Sequence, residues 1–170
     1  MKTLHLSSAK TWRGGEQQIA YLIDGLLGKD VGCTLLAAEG GKMEEYALQH
    51  DWDVVSYEKA GGIDPWAALS ISRICKEREI DLIHAHDSHA HTYACIAHTF
   101  FGCSPPIVLA RRVPIPIQNN IFSRWKYNHS AVKRIICVSK FIKNRMREDI
   151  KGPERLRVVH SGTKTDRFDN

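Results

Sequence analysis

Short apolar runs alternate with amphipathic stretches along almost the whole chain, and this alternation restricts the fold more than any other feature. The runs occupy residues 3–7, 31–38, 53–57, 80–85, 107–110, 134–138 and 156–160. Each is short and rich in β-branched or aliphatic residues, which predicts buried strands. Between them lie stretches with helical spacing. From Gly15, the residues Ile19, Leu22, Ile23, Leu26 and Leu27 mark one face, and Gly28 ends the pattern. Helices are likewise predicted over 42–50, over 65–79 behind Pro65, from His89 onward, and over 119–128 as an exposed helix. Ser139 caps another that turns Ile142, Met146 and Ile150 inward. Strands separated by helices imply an α/β fold, Rossmann-like, with a largely parallel sheet and helices on both faces. No linker interrupts the pattern, so residues 1–170 are expected to form one domain, and that length is enough to bury a core without staples.

Composition narrows the setting. Cys33, Cys75, Cys95, Cys103 and Cys137 are odd in number and include no Cys-x-x-Cys pair, which predicts buried free thiols in a reducing compartment. No signal peptide or long apolar run is present, and the expected location is cytoplasmic. The net charge of +5 is unevenly spread. Residues 1–107 carry 9 Lys and Arg against 14 Asp and Glu, whereas residues 108–170 carry 15 against 5. A basic second half favours an anionic partner: phosphorylated small molecules, a membrane surface or nucleic acid. Nucleic acid is not expected, because Phe122, Trp125 and Tyr127 form one local group rather than a stacking platform, and helix-turn-helix or zinc-finger spacing is absent.

Chemistry concentrates between Ile80 and Phe101, where five histidines and Asp87 stand at a strand-to-helix junction. Ligands of open parallel sheets gather at the carboxyl ends of strands, which places His86, Asp87, Ser88 and His89 at a candidate site, with Asp87 and Ser88 able to cap the helix. A zinc hydrolase using His84, His86 and His89 is an alternative. The order His-x-His-Asp-x-His, without a second ligand cluster downstream, argues against it, and no metal is expected. Against that reading, His84 and one or two others of the stretch are expected to be core histidines bonded to neighbouring backbone. After the first strand, Trp12, Arg13, Gly14 and Gly15 open a helix where backbone N–H groups can approach a phosphate. The stretch is neither Gly-x-Gly-x-x-Gly nor a Walker sequence, so a nicotinamide dehydrogenase is disfavoured. Arg111 and Arg112 follow a strand and are placed to neutralise phosphates.

Four stretches in order resemble the N-terminal half of a glycosyltransferase of family 4, whose retaining members face two Rossmann-like domains in the GT-B arrangement: RGGEQQIAYLIDGL, DLIHAHDSHA, RIICVSKFIKNRM and LRVVHSGTKTDRF. The Trp-Arg-Gly-Gly and Arg-Arg pairs also resemble members working on lipopolysaccharide or related bacterial envelope glycans. The resemblance implies a nucleotide-sugar donor, a glycan or lipid-linked acceptor, retention of configuration, and no cofactor. It implies that Arg13, Gly14 and Gly15 approach the donor diphosphate, that His86, Asp87 and His89 act catalytically, and that Arg111, Arg112, Ser139 and Lys140 serve the acceptor. The chain departs from the family at Arg111 or Arg112, where several members carry histidine, at Ser161 for asparagine and at Lys164 for aspartate. The donor domain with its carboxylate motif is absent from these residues, so the chain alone is expected to be inactive. A non-catalytic phosphate- or nucleotide-binding module of the same fold is the alternative. Finally, Ile115, Ile117, Ile121, Phe122 and Trp125, flanked by Arg111, Arg112, Arg124 and Lys126, are expected to seat the domain peripherally on an anionic membrane at the inner face of the cell membrane.

Overall fold

The computed structural model describes residues 1–114, 117 and 120–163. Among the described residues, seven strands and six helices alternate: β1 (Lys2–Ser7), α1 (Gly14–Leu27), β2 (Gly32–Ala38), α2 (Lys42–Gln49), β3 (Asp53–Tyr57), α3 (Pro65–Glu77), β4 (Leu82–Ala85), α4 (Ser88–Phe100), β5 (Ile107–Arg111), α5 (Ile121–Tyr127), β6 (Val132–Cys137), α6 (Lys140–Arg147) and β7 (Leu156–Val158). The strands form one parallel sheet in the order β3-β2-β1-β4-β5-β6-β7. The chain builds outward from β1 to β3, returns through α3, and builds outward again from β4. The reversal opens a crevice at the carboxyl ends of β1 and β4, where such sheets bind ligands.

Alternation along the strands sorts side chains between two layers. Leu4, Leu6, Leu36, Ile83 and Ala85 enter the larger core beneath α3 and α4, with Ile107, Leu109, Ile135 and Cys137. Leu35 and Ala37 point the other way, against Ile19, Ala20 and Ile23 of α1 and Met43 and Ala47 of α2. By the same period, Thr3, His5 and Ser7 of β1 and His84 of β4 are turned away from the larger core, and all four are buried. This polar row crosses the largely apolar interior of the sheet.

The predicted elements are present, with shifts at their ends. α3 stops at Glu77 because Glu79 adopts a left-handed φ of 55°, and Ile80 N–H turns back to the Cys75 carbonyl at 3.0 Å. β4 therefore begins at Leu82, although Ile80 is buried as expected. β6 begins earlier than predicted, at Val132, pairing with Ile107 across a register shift beside Val108. α5 is less exposed than expected: Ser123, Lys126 and Tyr127 are buried. The predicted start of that helix at residue 119 lies outside the described residues. All five cysteines are free and buried. Among the described residues, no helix is long and apolar enough to cross a membrane.

Candidate functional site

The strand-to-helix junctions share the carboxyl edge of the sheet, and one carboxylate ties two of them together. Asp87 is the N-cap of α4: its Oδ1 accepts from His89 N and Ala90 N, both at 3.0 Å. The same carboxylate accepts from Ser8 N and Ser8 Oγ, each at 2.6 Å. Lys59 Nζ donates to the Ser8 carbonyl at 3.0 Å and brings in the loop after β3. Asp87 thus holds the exit of β1 against the start of α4, with its oxygens occupied by the frame of the site.

Arg111 and Arg112 are neighbours in sequence and part company in space. Arg112 turns toward α1. Its two terminal nitrogens donate to the His86 carbonyl at 3.0 Å and to His86 Nδ1 at 3.3 Å. Its Cδ would lie 3.7 Å from a Cβ placed on Gly15, and a Cβ on Gly14 would meet nothing within 4 Å. Neither glycine has a positive φ, so neither backbone conformation nor crowding within the chain demands glycine there. Glu16 completes the junction by accepting from Arg13 N at 2.9 Å. Burial lowers the Arg112 pKa, opposed by the nearby Glu16 and Asp87 carboxylates. Arg112 also lines a cavity of about 300 Å³ with His84, Gln18, Tyr21 and Gly162, the last paired with Gln18 by two hydrogen bonds at 2.7 and 3.0 Å.

Arg111 turns toward α5, where it donates to Tyr127 Oη at 2.9 Å with its guanidinium 5.7 Å from the ring centre. It lines a cavity of about 880 Å³ with Ser88, His89 and Lys126 and an apolar wall that includes Ile117 and Phe122. No carboxylate lines this cavity among the described residues. Lys126 is buried, and its ammonium donates to Ser88 Oγ at 2.8 Å and to the Ser88 carbonyl and Thr92 Oγ1, both at 3.2 Å. Burial lowers its pKa. His89 reaches the same cavity from the first turn of α4, its pKa lowered by burial and by Lys59. Ser139 caps α6 by accepting from Ile142 N at 3.2 Å. Lys140 is exposed beside it, and neither residue lines either cavity.

The histidines divide differently from the sequence expectation. His84, His86 and His89 do not form a ligand set. The group whose ligand atoms lie within 4.8 Å of one another is His5, His84 and His86, while the His89 ring faces Tyr93 across 6.3 Å. Strand register explains the difference, since His5 pairs directly with His84. Burial holds His5 neutral with a pKa lowered to about 4 and His84 to about 3, and pushes His86 well below its usual value. His86 is itself buried, so Arg112 and His89, rather than its ring, face the crevice. His91 and His98 are bonded to the backbone carbonyls of Lys126 at 2.9 Å and Pro105 at 2.7 Å, as expected of core histidines. Sequence reasoning passed over His5, although the alternation of Thr3, His5 and Ser7 through β1 signalled a polar face, and it gave Lys126 to an exposed membrane-facing patch, whereas the structure buries it at the cavity.

With this geometry in place, comparison with known proteins identifies a family. The model of Glycosyltransferase Family 4 matches residues 12–167. No curated protein sequence matches the chain. Among solved structures, a glycosyltransferase from Rickettsia africae ESF-5 superposes with a TM-score of 0.80 at 20% identity, over 99% of this chain and 45% of that one. Anabaena Alr3699/HepE in complex with UDP gives 0.77 at 16% identity, over 98% and 45%. The lipopolysaccharide outer core galactosyltransferase WaaB in its apo form gives 0.73 at 14%, over 96% and 46%. The chain therefore spans less than half the length of the solved structures it resembles.

Proposed function

This chain belongs to glycosyltransferase family 4, and from that premise we propose that it forms the acceptor-side half of a retaining enzyme moving a sugar from a nucleotide-sugar donor to a glycan or glycolipid acceptor in envelope polysaccharide synthesis. The observation that carries the reading is the division of the carboxyl edge into two compartments: Arg112 beside the Gly14–Gly15 turn, and the Arg111 and Lys126 cavity walled by apolar residues. The first suits a diphosphate. Two glycines that nothing in the chain requires leave the start of α1 open to close approach, and a fixed guanidinium lies alongside. HepE is solved with UDP and with UDP-glucose, which supports a uridine diphosphate sugar as the donor class. The second compartment suits an acceptor presenting an anionic or polar group next to an apolar one.

In this reading, catalysis is electrostatic. As the glycosidic bond to the diphosphate breaks, charge grows on the leaving oxygens, and Arg112 with the N–H groups of Gly14 and Gly15 stabilises it without a proton transfer. His89, neutral and at the mouth of the acceptor cavity, can hydrogen-bond the incoming hydroxyl. Asp87 fixes the junction between His86, at the end of β4, and His89, in the first turn of α4. Ser139 and Lys140 remain candidates for the outer part of an extended acceptor. The leaving charge is met by side chains and backbone, so the proposed transfer needs no metal.

The test is a titration of isotopically labelled chain with UDP-glucose. The amides of Gly14, Gly15 and Arg112 are expected to shift, and Gly15→Val is expected to abolish the shifts while leaving the remaining spectrum in place, because a β-branched side chain would occupy the approach to the helix start. Saturating donor that leaves those amides unmoved in the wild-type chain removes the turn from the site.

A further inference from the structure

The polar row beneath α1 contains more order than a cluster of buried histidines requires. His5 Nδ1 and His86 Nε2 are 3.1 Å apart, His5 Nε2 and Thr3 Oγ1 are 3.1 Å apart, and Thr3 Oγ1 donates to the Gly32 carbonyl at 3.1 Å. The His5 and His86 rings are within 11° of parallel, with centres 5.3 Å apart. That separation exceeds the nitrogen–nitrogen distance by roughly the sum of two ring radii. The rings therefore meet edge to edge, with the hydrogen bond in their common plane.

One end of the row fixes the direction of every bond. A guanidinium only donates, so His86 Nδ1, which receives from Arg112, bears a lone pair. A neutral His86 must then hold its proton on Nε2, which faces His5 Nδ1, and that nitrogen must accept. His5 in turn carries its proton on Nε2 and donates to Thr3 Oγ1, whose own proton goes to the Gly32 carbonyl. No other pair of ring tautomers satisfies the contacts from Arg112 to Thr3, and of the two acceptors of the Thr3 hydroxyl the Gly32 carbonyl is nearer than Cys33 Sγ at 3.4 Å. We propose that Arg112, His86, His5, Thr3 and the Gly32 carbonyl form a buried hydrogen-bond chain of single polarity, and that His5 is a positioning residue which, through His86, holds the Arg112 guanidinium at the crevice. The purpose given to Arg112 rests on the proposed function; the polarity of the chain does not.

This assignment decides against a second use of the same residues. His5, His84 and His86 have the ligand types and proximity of a metal group. With its proton on Nε2, His86 offers no lone pair to an ion held between the rings, and Arg112 places a positive charge beside it. His84, whose Nε2 has no partner in its buried position, stands next to the chain, its ring centre 4.1 Å from that of His86, without joining it.

Two-bond proton–nitrogen spectra of the chain labelled at histidine nitrogens read the tautomers directly. His5 and His86 are expected to be Nε2–H forms from about pH 7 down to about pH 5, where an ordinary histidine would have charged. An Nδ1–H form at either ring, or one equivalent of zinc binding tightly to these nitrogens, overturns the assignment. In His5→Phe, which has a similar shape and no ring nitrogen, His86 is expected to become a tautomer mixture and the Arg112 side-chain signals to broaden. In His5→Gln, which keeps one acceptor and one donor, they are expected to stay sharp. Unchanged His86 and Arg112 signals in folded His5→Phe would leave His5 without a positioning role; if that variant does not fold, the wild-type tautomers and His5→Gln still decide. The affinity for UDP is expected to fall about tenfold in His5→Phe. Altered side-chain signals with unaltered UDP affinity would retain the chain of bonds and remove Arg112 from the donor site, a failure of the proposed function alone.

Discussion

A histidine kept neutral by burial is a group that the unfolded chain would rather protonate, and this protein has several. Burial lowers His5 to about 4 and His84 and His91 to about 3, against an ordinary value of 6.5. Above pH 6.5 neither state takes up these protons, and the full stability is present. Below it, the unfolded chain binds protons on these three rings, and on His86, that the folded chain refuses, so stability falls with pH until the folded values are reached. The three rings alone give a slope of about 4 kcal/mol per pH unit between roughly pH 6 and 4, and His86 adds to it in the same direction. A domain of this kind is stable by about 5–15 kcal/mol in all, so this slope unfolds it within a few pH units. Denaturant midpoints measured from pH 7 to 4.5 are expected to drop steeply below pH 6.5, and a midpoint unchanged to pH 5 would show that these rings charge while folded. How the residues would pair was only partly legible. Asp87 before a helical pattern announced a cap, because capping is local. His5 stayed hidden because its partner His86 is 81 residues away, and strand register is not written in either stretch.

At the scale of elements, the site depends on junctions more than on the strands and helices themselves. The alternation of apolar runs was sufficient to place every strand, since each is short and bounded by polar or glycine residues, and even the edge strand β3, with no fully buried residue, keeps Val54, Val55 and Tyr57 half-covered. Ends were less legible. α3 lost two residues to the left-handed Glu79, and nothing in Lys-Glu-Arg-Glu announces where the turn falls. Arg111 and Arg112 were read as one acceptor pair, although residues adjacent on a strand face opposite sides; the structure gives one to each compartment. Asp87 shows what a junction contributes. Its carboxylate accepts from two amides of α4 and from the amide and hydroxyl of Ser8. Loss of an N-cap costs about 1 kcal/mol, and further charge-assisted bonds add about 1.5–3 kcal/mol. Asp87→Ala is therefore expected to destabilise the chain by roughly 3 kcal/mol in chemical denaturation. A loss below about 1 kcal/mol, with donor binding abolished, would instead make Asp87 a group that serves ligand rather than frame.

At the scale of the whole molecule, charge and exposed apolar surface meet on the carboxyl edge. The membrane-facing patch expected from sequence contracts in the structure. Ile117 is buried, Trp125 packs partly against the core, Lys126 is buried, and Arg111 and Arg112 turn to the two compartments; residue 115 lies outside the described residues. What remains is Ile121 at 89% exposure and Phe122 at 39%, joined by Phe141 at 63% in the first turn of α6. Helices of a parallel sheet start at the carboxyl edge of their preceding strands, so these residues share that edge with the site. The same two helices carry Arg124, Lys140 and Lys143, with Arg145 and Arg147 farther along in the last turn of α6, and residues 140–147 contain no acid. An anionic surface attracts each nearby Lys or Arg by about 1 kcal/mol at physiological salt, and this attraction fades within a screening length of about 10 Å at 0.1 M. Apolar side chains entering the interface would add to it without salt dependence. The chain is accordingly expected to co-sediment with vesicles containing anionic lipid at low salt and to release at high salt. Ile121→Ser with Phe122→Ser is expected to weaken recovery several-fold without unfolding, since both side chains are exposed. Trp125 is the poorer choice for this experiment because its loss would also disturb the core. Equal recovery with neutral and anionic vesicles, or full recovery of the double variant, would assign the exposed rim to a protein surface and leave the acceptor to arrive from solution.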